Sequence, residues 1–316
     1  MLISREVPQL LSIVVPVYNE EDSLPALREQ LTRVADELLC AVEIILVDDG
    51  SADRTYALLH DWALSDPAVK VIALSRNFGH QLAITAGMDA SSGDAVVIMD
   101  ADLQDPPSLI PEMIRDYCDG YDVVYGQRTE RDGETWFKRA SAALFYRFMR
   151  RVIDRRLPEN TGDFRLVSRR VIEDLRRIRE RDRFVRGIVA WVGFPQKALP
   201  YRRAARAAGT TKYPLVKMLR LALDAVVSFS DLPLRLVLWA GVASAVVSLA
   251  LLVRALWLPA PQLGPGGLGA LVGLFGGAIL VGIGVLGLYI ARIHTEVRGR
   301  PLYLVRHAVN FQREPR

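Results

Sequence analysis

Residues 96–107 read VVIMDADLQDPP. An apolar, mostly β-branched run ends on three aspartates, Asp100, Asp102 and Asp105, within six positions. Carboxylates this close repel one another, so the stretch is either a solvated turn or the seat of a cation. Its flanks say what the run is. Residues 79–91, GHQLAITAGMDAS, and residues 108–118, SLIPEMIRDYC, both carry apolar residues at helical spacing. A short apolar run between two helical patterns reads as a buried strand of a βαβ chain.

The same alternation extends outward. LSIVVPV (11–17), VEIILVDD (42–49), KVIALS (70–75) and YDVVYGQR (121–128) read as strands. Residues 23–39 and 54–65 read as helices. The expectation is an α/β domain with a mostly parallel sheet covered by helices on both faces. Ligands of such sheets bind beyond the carboxyl ends of the strands. Three of those ends are polar: PVYNEE, VDDGS and MDADLQD.

The chain has 316 residues, 51% of them hydrophobic and 24% charged. That mixture suggests a soluble domain joined to something apolar. A net charge of only +4 does not argue for nucleic acid as a partner. Cys40 and Cys118 form no metal-binding pattern, and the N-terminus has no convincing secretory signal, so the first domain is expected in the cytoplasm. Residues 131–154 read as a long basic helix, and 158–175 as a loop leading into a short strand and a helix.

Residues 236–253 and 266–291 carry no charge. A span needs roughly 20 apolar residues, which the first run reaches if it extends over 232–258. Basic residues flank the pair on its outer sides, Arg202, Arg203, Arg206, Lys212, Lys217 and Arg220 before it and Arg292, Arg298, Arg300 and Arg306 after it. The connecting loop beyond Arg254 has none. By the positive-inside rule both termini face the cytoplasm. The expected organisation is a catalytic domain over 1–200, amphipathic interface helices over 201–231, spans over 232–258 and 266–291, and a cytoplasmic tail over 292–316. The glycine-rich second run favours close helix packing and allows assembly into a homo-oligomer.

In extended backbone Asp100 and Asp102 point to one side, where Mg²⁺ or Mn²⁺ would take their oxygens and share them with phosphates. Gln104 and Asp105 could add contacts, and Asp105 could equally cap the helix starting near Pro107. Asp48 and Asp49 end the second strand, either as an acidic turn or as a carboxylate for a nucleobase or ribose. Pro16, Tyr18, Asn19 and Glu20 end the first. No GxGxxG follows the first strand, and no P-loop, GxSxG or HExxH occurs, which removes the main support for dinucleotide binding and for those hydrolytic chemistries. His80 reads as helix-start structure.

Taken together, SIVVPVYNEE, ILVDDGSADRT, LSRNFGHQLAITAGMDASSGDAVVIMDADLQDPP, GETWFKR and NTGDFRLVSRR resemble the family-2 glycosyltransferases. Within them they are similar to the polyprenyl-phosphate glycosyltransferases of the dolichyl-phosphate mannose synthase-like group, bactoprenol glucosyltransferase type. The resemblance covers nearly the whole chain. It implies a GT-A fold, a nucleotide-diphosphate sugar as donor and a membrane polyprenyl phosphate, undecaprenyl in a bacterium, as acceptor. It also implies that Pro16, Tyr18, Glu20, Asp48, Asp49 and Asp100 bind the nucleotide sugar. Asp100, Asp102 and Gln104 would hold Mg²⁺ or Mn²⁺. Transfer would be inverting, with the acceptor phosphate as nucleophile and Asp163 at the position of a catalytic base.

A phosphate nucleophile is already anionic and barely needs a base; it needs cations. Arg128 and Arg139 fit as phosphate clamps, and Arg202 and Arg206 as contacts for the lipid phosphate or for head groups. UDP-glucose is the first expectation for the donor, with GDP-mannose next. The residues also allow a processive polysaccharide synthase, a non-catalytic nucleotide-sugar-binding protein or a transporter. The lack of a QxxRW motif, the intact acidic set and the charge-free spans weigh against each in turn.

Overall fold

The computed structural model describes residues 3–129, 161–181, 183–202, 232–257 and 265–311. The expected basic helix with Arg139, the interface segment before residue 232, and Arg206 lie outside the described residues.

These residues fall into two compact units. The first is built on an eight-stranded sheet. Its strands are β1 (Leu10–Val17), β2 (Ala41–Asp48), β3 (Val69–Leu74), β4 (Ala95–Ile98), β5 (Val123–Arg128), β6 (Thr161–Ser168), β7 (Gln196–Tyr201) and β8 (Val305–Val309). Their order across the sheet is β7-β5-β6-β4-β1-β2-β3-β8. β1 runs parallel to β2 and β4, β2 to β3, and β5 to β7, while β6 and β8 run against their neighbours. The sheet is therefore mostly parallel, with one antiparallel strand inserted between β4 and β5 and another at one edge.

Seven of the eight residues of β1 are buried, as a central strand covered on both faces requires. Its alternating side chains serve two cores. Leu11, Ile13, Val15 and Val17 pack with α1 (Leu24–Glu37), α2 (Thr55–Ser65) and α4 (Ile110–Cys118). Val14 packs on the other face with α3 (His80–Ala90), α5 (Arg169–Arg177) and α6 (Val185–Trp191). Strand direction then brings the carboxyl ends of β1–β5 and β7, and the start of β6, to one edge of the sheet.

The second unit holds α7 (Leu232–Trp257) and α8 (Pro265–Val297), each long and apolar enough to cross a membrane. A Cβ on Gly282 would lie 3.1 Å from Cγ1 of Val237, so the two helices touch where one lacks a side chain. Leu238, Trp239, Leu274 and Leu280 are all more than 60% exposed, an outward apolar surface that water would not support. Two details depart from the sequence reading. α8 continues past residue 291 to Val297, and part of the expected tail is strand β8, paired antiparallel with β3. Asn310 fastens that strand by donating to the carbonyls of Ala63 and Val69.

Candidate active site

At the carboxyl edge lies a cavity of about 320 Å³ lined by Pro16, Tyr18, Glu20, Asp49, Asn77, Gly79, His80, Asp100 and Asp102, among others. The loops after four successive strands of the sheet build it. Tyr18 is half-exposed, at 47%, and offers a ring face at the mouth. Glu20 is held by its neighbours: Ser23 Oγ donates to its Oε2 at 2.7 Å, and its amide donates to Thr55 Oγ1 at 2.9 Å.

Asp49 accepts from the backbone N–H groups of Phe78 and Gly79 at 2.7 and 2.9 Å. It thereby ties the end of β2 to the loop that opens α3. Burial raises its carboxyl, with those two bonds opposing. Asp48 does not line the cavity. It is buried and accepts from the Ser51 amide at 3.0 Å, so it shapes the turn from within.

The acidic run departs from the extended-strand expectation. β4 ends at Ile98, and Asp100 and Asp102 sit in the turn that follows, where Leu103 has φ of 55°. The turn still aims both aspartates at one cavity. Gln104 is not among the residues that line it. It is 6% exposed, among the described residues its Oε1 has no hydrogen-bond partner, and its amide donates to Asp102 Oδ1 at 3.2 Å. Asp105 is wholly buried and caps no helix; Tyr201 donates to it.

Burial drives the Asp100 carboxyl up to about 6, with Asp163, Asp105 and Asp102 adding to the rise and His80 opposing it. Its Oδ1 stands 3.3 Å from His80 Nε2 without a hydrogen bond, and that ring nitrogen bonds Asp163 at 3.1 Å. Among the described residues that buried oxygen has no hydrogen-bond donor, and beside further acids it fits a hard divalent cation.

His80, Asp100 and Asp163 offer ligand atoms within 4.8 Å of one another. Asp163, however, is already committed. Arg186 forks onto it, Nε to Oδ1 at 2.8 Å and Nη2 to Oδ2 at 3.0 Å, and Gln81 donates at 3.2 Å. Burial alone would raise its carboxyl. The bonds from His80 and Arg186 and the charges of Arg186 and Arg165 overcome burial and hold it far below the usual carboxylate range. A metal bound there would have to displace an arginine fork, so Asp100 with Asp102 is the better pair.

A carboxylate so stabilised accepts a proton poorly, which weighs against Asp163 as a base. Its geometry is that of an anchor for Arg186 and His80. Arg186 was missed in the sequence; the only sign was a lone charge inside the apolar run FVRGIVAWVGF, which would need a partner. His80 does start α3, as read, and lines the cavity as well. Arg128 ends β5 beside Gly162, one residue from Asp163. Arg202 is exposed directly after β7.

Comparison with known proteins gives the family. Residues 12–176 match the family model described as Glycosyl transferase family 2. An uncharacterized glycosyltransferase of Bacillus subtilis (strain 168) is 46% identical over 95% of this chain and 94% of its own length. The bactoprenol glucosyl transferase of Shigella phage SfII is 38% identical over 94% of this chain and 97% of its own. Among solved structures, a mannosyltransferase of Pyrobaculum calidifontis in complex with GDP-Man and Mn²⁺ is similar at a TM-score of 0.46 and 18% identity, over 94% of this chain and 89% of that one. The chain belongs to glycosyl transferase family 2, and it is a glycosyltransferase.

Proposed function

We propose that the protein transfers a hexose from a nucleoside diphosphate sugar to a polyprenyl phosphate at the cytoplasmic face of the inner membrane, with inversion at the anomeric carbon. UDP-glucose and undecaprenyl phosphate are the substrates the reading favours. The carrying observation is the cavity that joins a half-exposed aromatic ring, the Asp49 carboxylate and the Asp100–Asp102 pair at one edge of the sheet. The relative named bactoprenol glucosyl transferase, similar over almost its full length, supports the lipid acceptor and the sugar.

Tyr18 and Asp49 suit the nucleoside, an aromatic face and a carboxylate for base or ribose donors. Asp100 and Asp102 would hold Mg²⁺ or Mn²⁺ on the diphosphate. When bound, that ion neutralises the charge developing on the leaving nucleoside diphosphate. The chain's own cations serve the acceptor: Arg128, with Arg139 and Arg202, clamps the phosphate, and Arg186, held by Asp163, contributes positive charge beside the cavity. With the nucleophile already ionised, the residues orient it and offset repulsion between two anionic substrates.

The two apolar helices and the basic residues outside them support anchoring with both termini in the cytoplasm. Strand β8 adds a covalent argument. The chain leaves one sheet before the helix pair and returns to the same sheet after it, which supports an even number of crossings.

The test offers labelled UDP-glucose, GDP-mannose and UDP-N-acetylglucosamine in turn with undecaprenyl phosphate and Mn²⁺. Label from UDP-glucose should pass to the organic phase. Label from GDP-mannose alone would change the donor, and none from any donor would leave a binding protein.

A further inference from the structure

Arg128 and Tyr201 are register partners at the carboxyl ends of β5 and β7. Two glycines clear the space their side chains fill. A Cβ on Gly162 would lie 2.5 Å from Arg128 Nη2, and one on Gly126 would lie 2.8 Å from the Tyr201 ring. Phe164 meets that ring edge-on, with centroids 6.1 Å apart. Packing therefore sets the ring, and polar contacts set its hydroxyl.

The hydroxyl donates to Asp105 Oδ1 and accepts from Arg128 Nε at 3.3 Å. Burial, then the bond to Asp105, raises the Tyr201 phenol to about 12, so its proton stays in place. Asp105 is sealed from solvent, and a carboxylate in such a place needs a cation nearby. Arg128 supplies it from 3.7 Å, at Nη2, too far for the two-bond fork that arginine and carboxylate form in direct contact. With Tyr201 as spacer, Asp105 orients the guanidinium without using up its donors. Nη1, with two N–H groups, is left out of this network.

We propose that Tyr201 and Asp105 are positioning residues that fix the Arg128 guanidinium for the phosphate of the lipid acceptor. The proposal rests on the reading above that Arg128 clamps that phosphate. Neither partner lines the donor cavity, and Tyr201→Phe changes no charge near it. Both lie far from Arg128 in sequence or were read otherwise: Tyr201 had no assigned role, and Asp105 was read as a helix cap or an extra cation contact.

The test uses the full-length protein in detergent with farnesyl phosphate as a soluble acceptor mimic and UDP with Mn²⁺ as donor mimic, both followed by calorimetry. Tyr201→Phe keeps the ring against Phe164 and removes only the hydroxyl. It should weaken farnesyl phosphate binding by about tenfold and leave UDP affinity unchanged. Asp105→Asn should act in the same direction. Arg128→Ala should weaken farnesyl phosphate at least as much, and adding Tyr201→Phe to it should cost nothing more, a non-additivity that a general loss of packing would not produce. If Arg128→Ala weakens the acceptor and Tyr201→Phe does not, the positioning role is overturned while the clamp stands. If Arg128→Ala itself binds farnesyl phosphate like wild type, the clamp fails and the positioning role with it. Equal weakening of both ligands by Tyr201→Phe would also overturn the proposal.

Discussion

Asp163 shows how much one side chain's surroundings decide its chemistry. Its place in NTGDFRL resembled that of a base, yet four donors from His80, Gln81 and Arg186 meet its two oxygens. Asp163→Asn should therefore lower kcat by roughly 100-fold through loss of positioning, with donor affinity unchanged. Arg186→Lys keeps the charge and loses the fork, so its kcat should fall in the same direction. Wild-type turnover in Arg186→Lys, with Asp163→Asn still inactive, would return Asp163 to the chemistry. The acidic turn was legible as a candidate because three aspartates follow the apolar run of β4 within six positions. Their geometry was not. Asp100 and Asp102 converge through a turn with a left-handed Leu103, which local sequence does not announce. Arg186 was illegible because its partner lies 23 positions away in the chain.

Among the elements, β1 to β5 follow from short apolar runs, as strands covered on both faces give, and the helices between them from apolar residues at helical spacing. β7 and β8 escaped notice: QKALPY and VRHAV are short, mixed in polarity and stable only on a neighbouring strand. The antiparallel insertion of β6 is likewise a tertiary fact. One ion cluster around a buried carboxylate staples several of these pieces. Asp122, just before β5, is fully buried and accepts from Arg5 at 2.8 Å, from Ser168 at 2.8 Å and from both Nε and Nη2 of Arg170 in α5. Burial opposes the charged form, but the Arg170 and Ser168 bonds and the Arg5 charge win and lower its carboxyl. A lowered carboxyl stabilises the fold fully above the unfolded value, about 4, and loses that contribution as pH falls through the folded value. Asp122→Asn should cost about 2 kcal/mol at pH 7. The deficit relative to wild type should shrink as pH drops below about 4, in urea melts at several pH values. An equal deficit at every pH would mean that packing, not charge, carries the effect.

For the molecule as a whole, the notable feature is that the last strand returns to the first domain. Without β8 the β3 edge would be an open row of N–H and C=O groups, a template for aggregation. A chain ended before Arg300 should aggregate in detergent where the full chain stays monodisperse by size exclusion; an unaltered elution profile would show that the edge is covered otherwise. The two long apolar helices were legible from charge-free length, whereas the closure by β8 was not, because a five-residue strand after a 33-residue helix has no periodic signature. The central claim is that the donor's diphosphate is held at the sheet's carboxyl edge through a cation on Asp100. Calorimetric titration with UDP-glucose tests it most directly, comparing wild type in Mn²⁺, wild type in EDTA and Asp100→Asn in Mn²⁺. The account predicts firm binding in the first and at least about tenfold weaker binding in the other two; equal affinity in all three would contradict it.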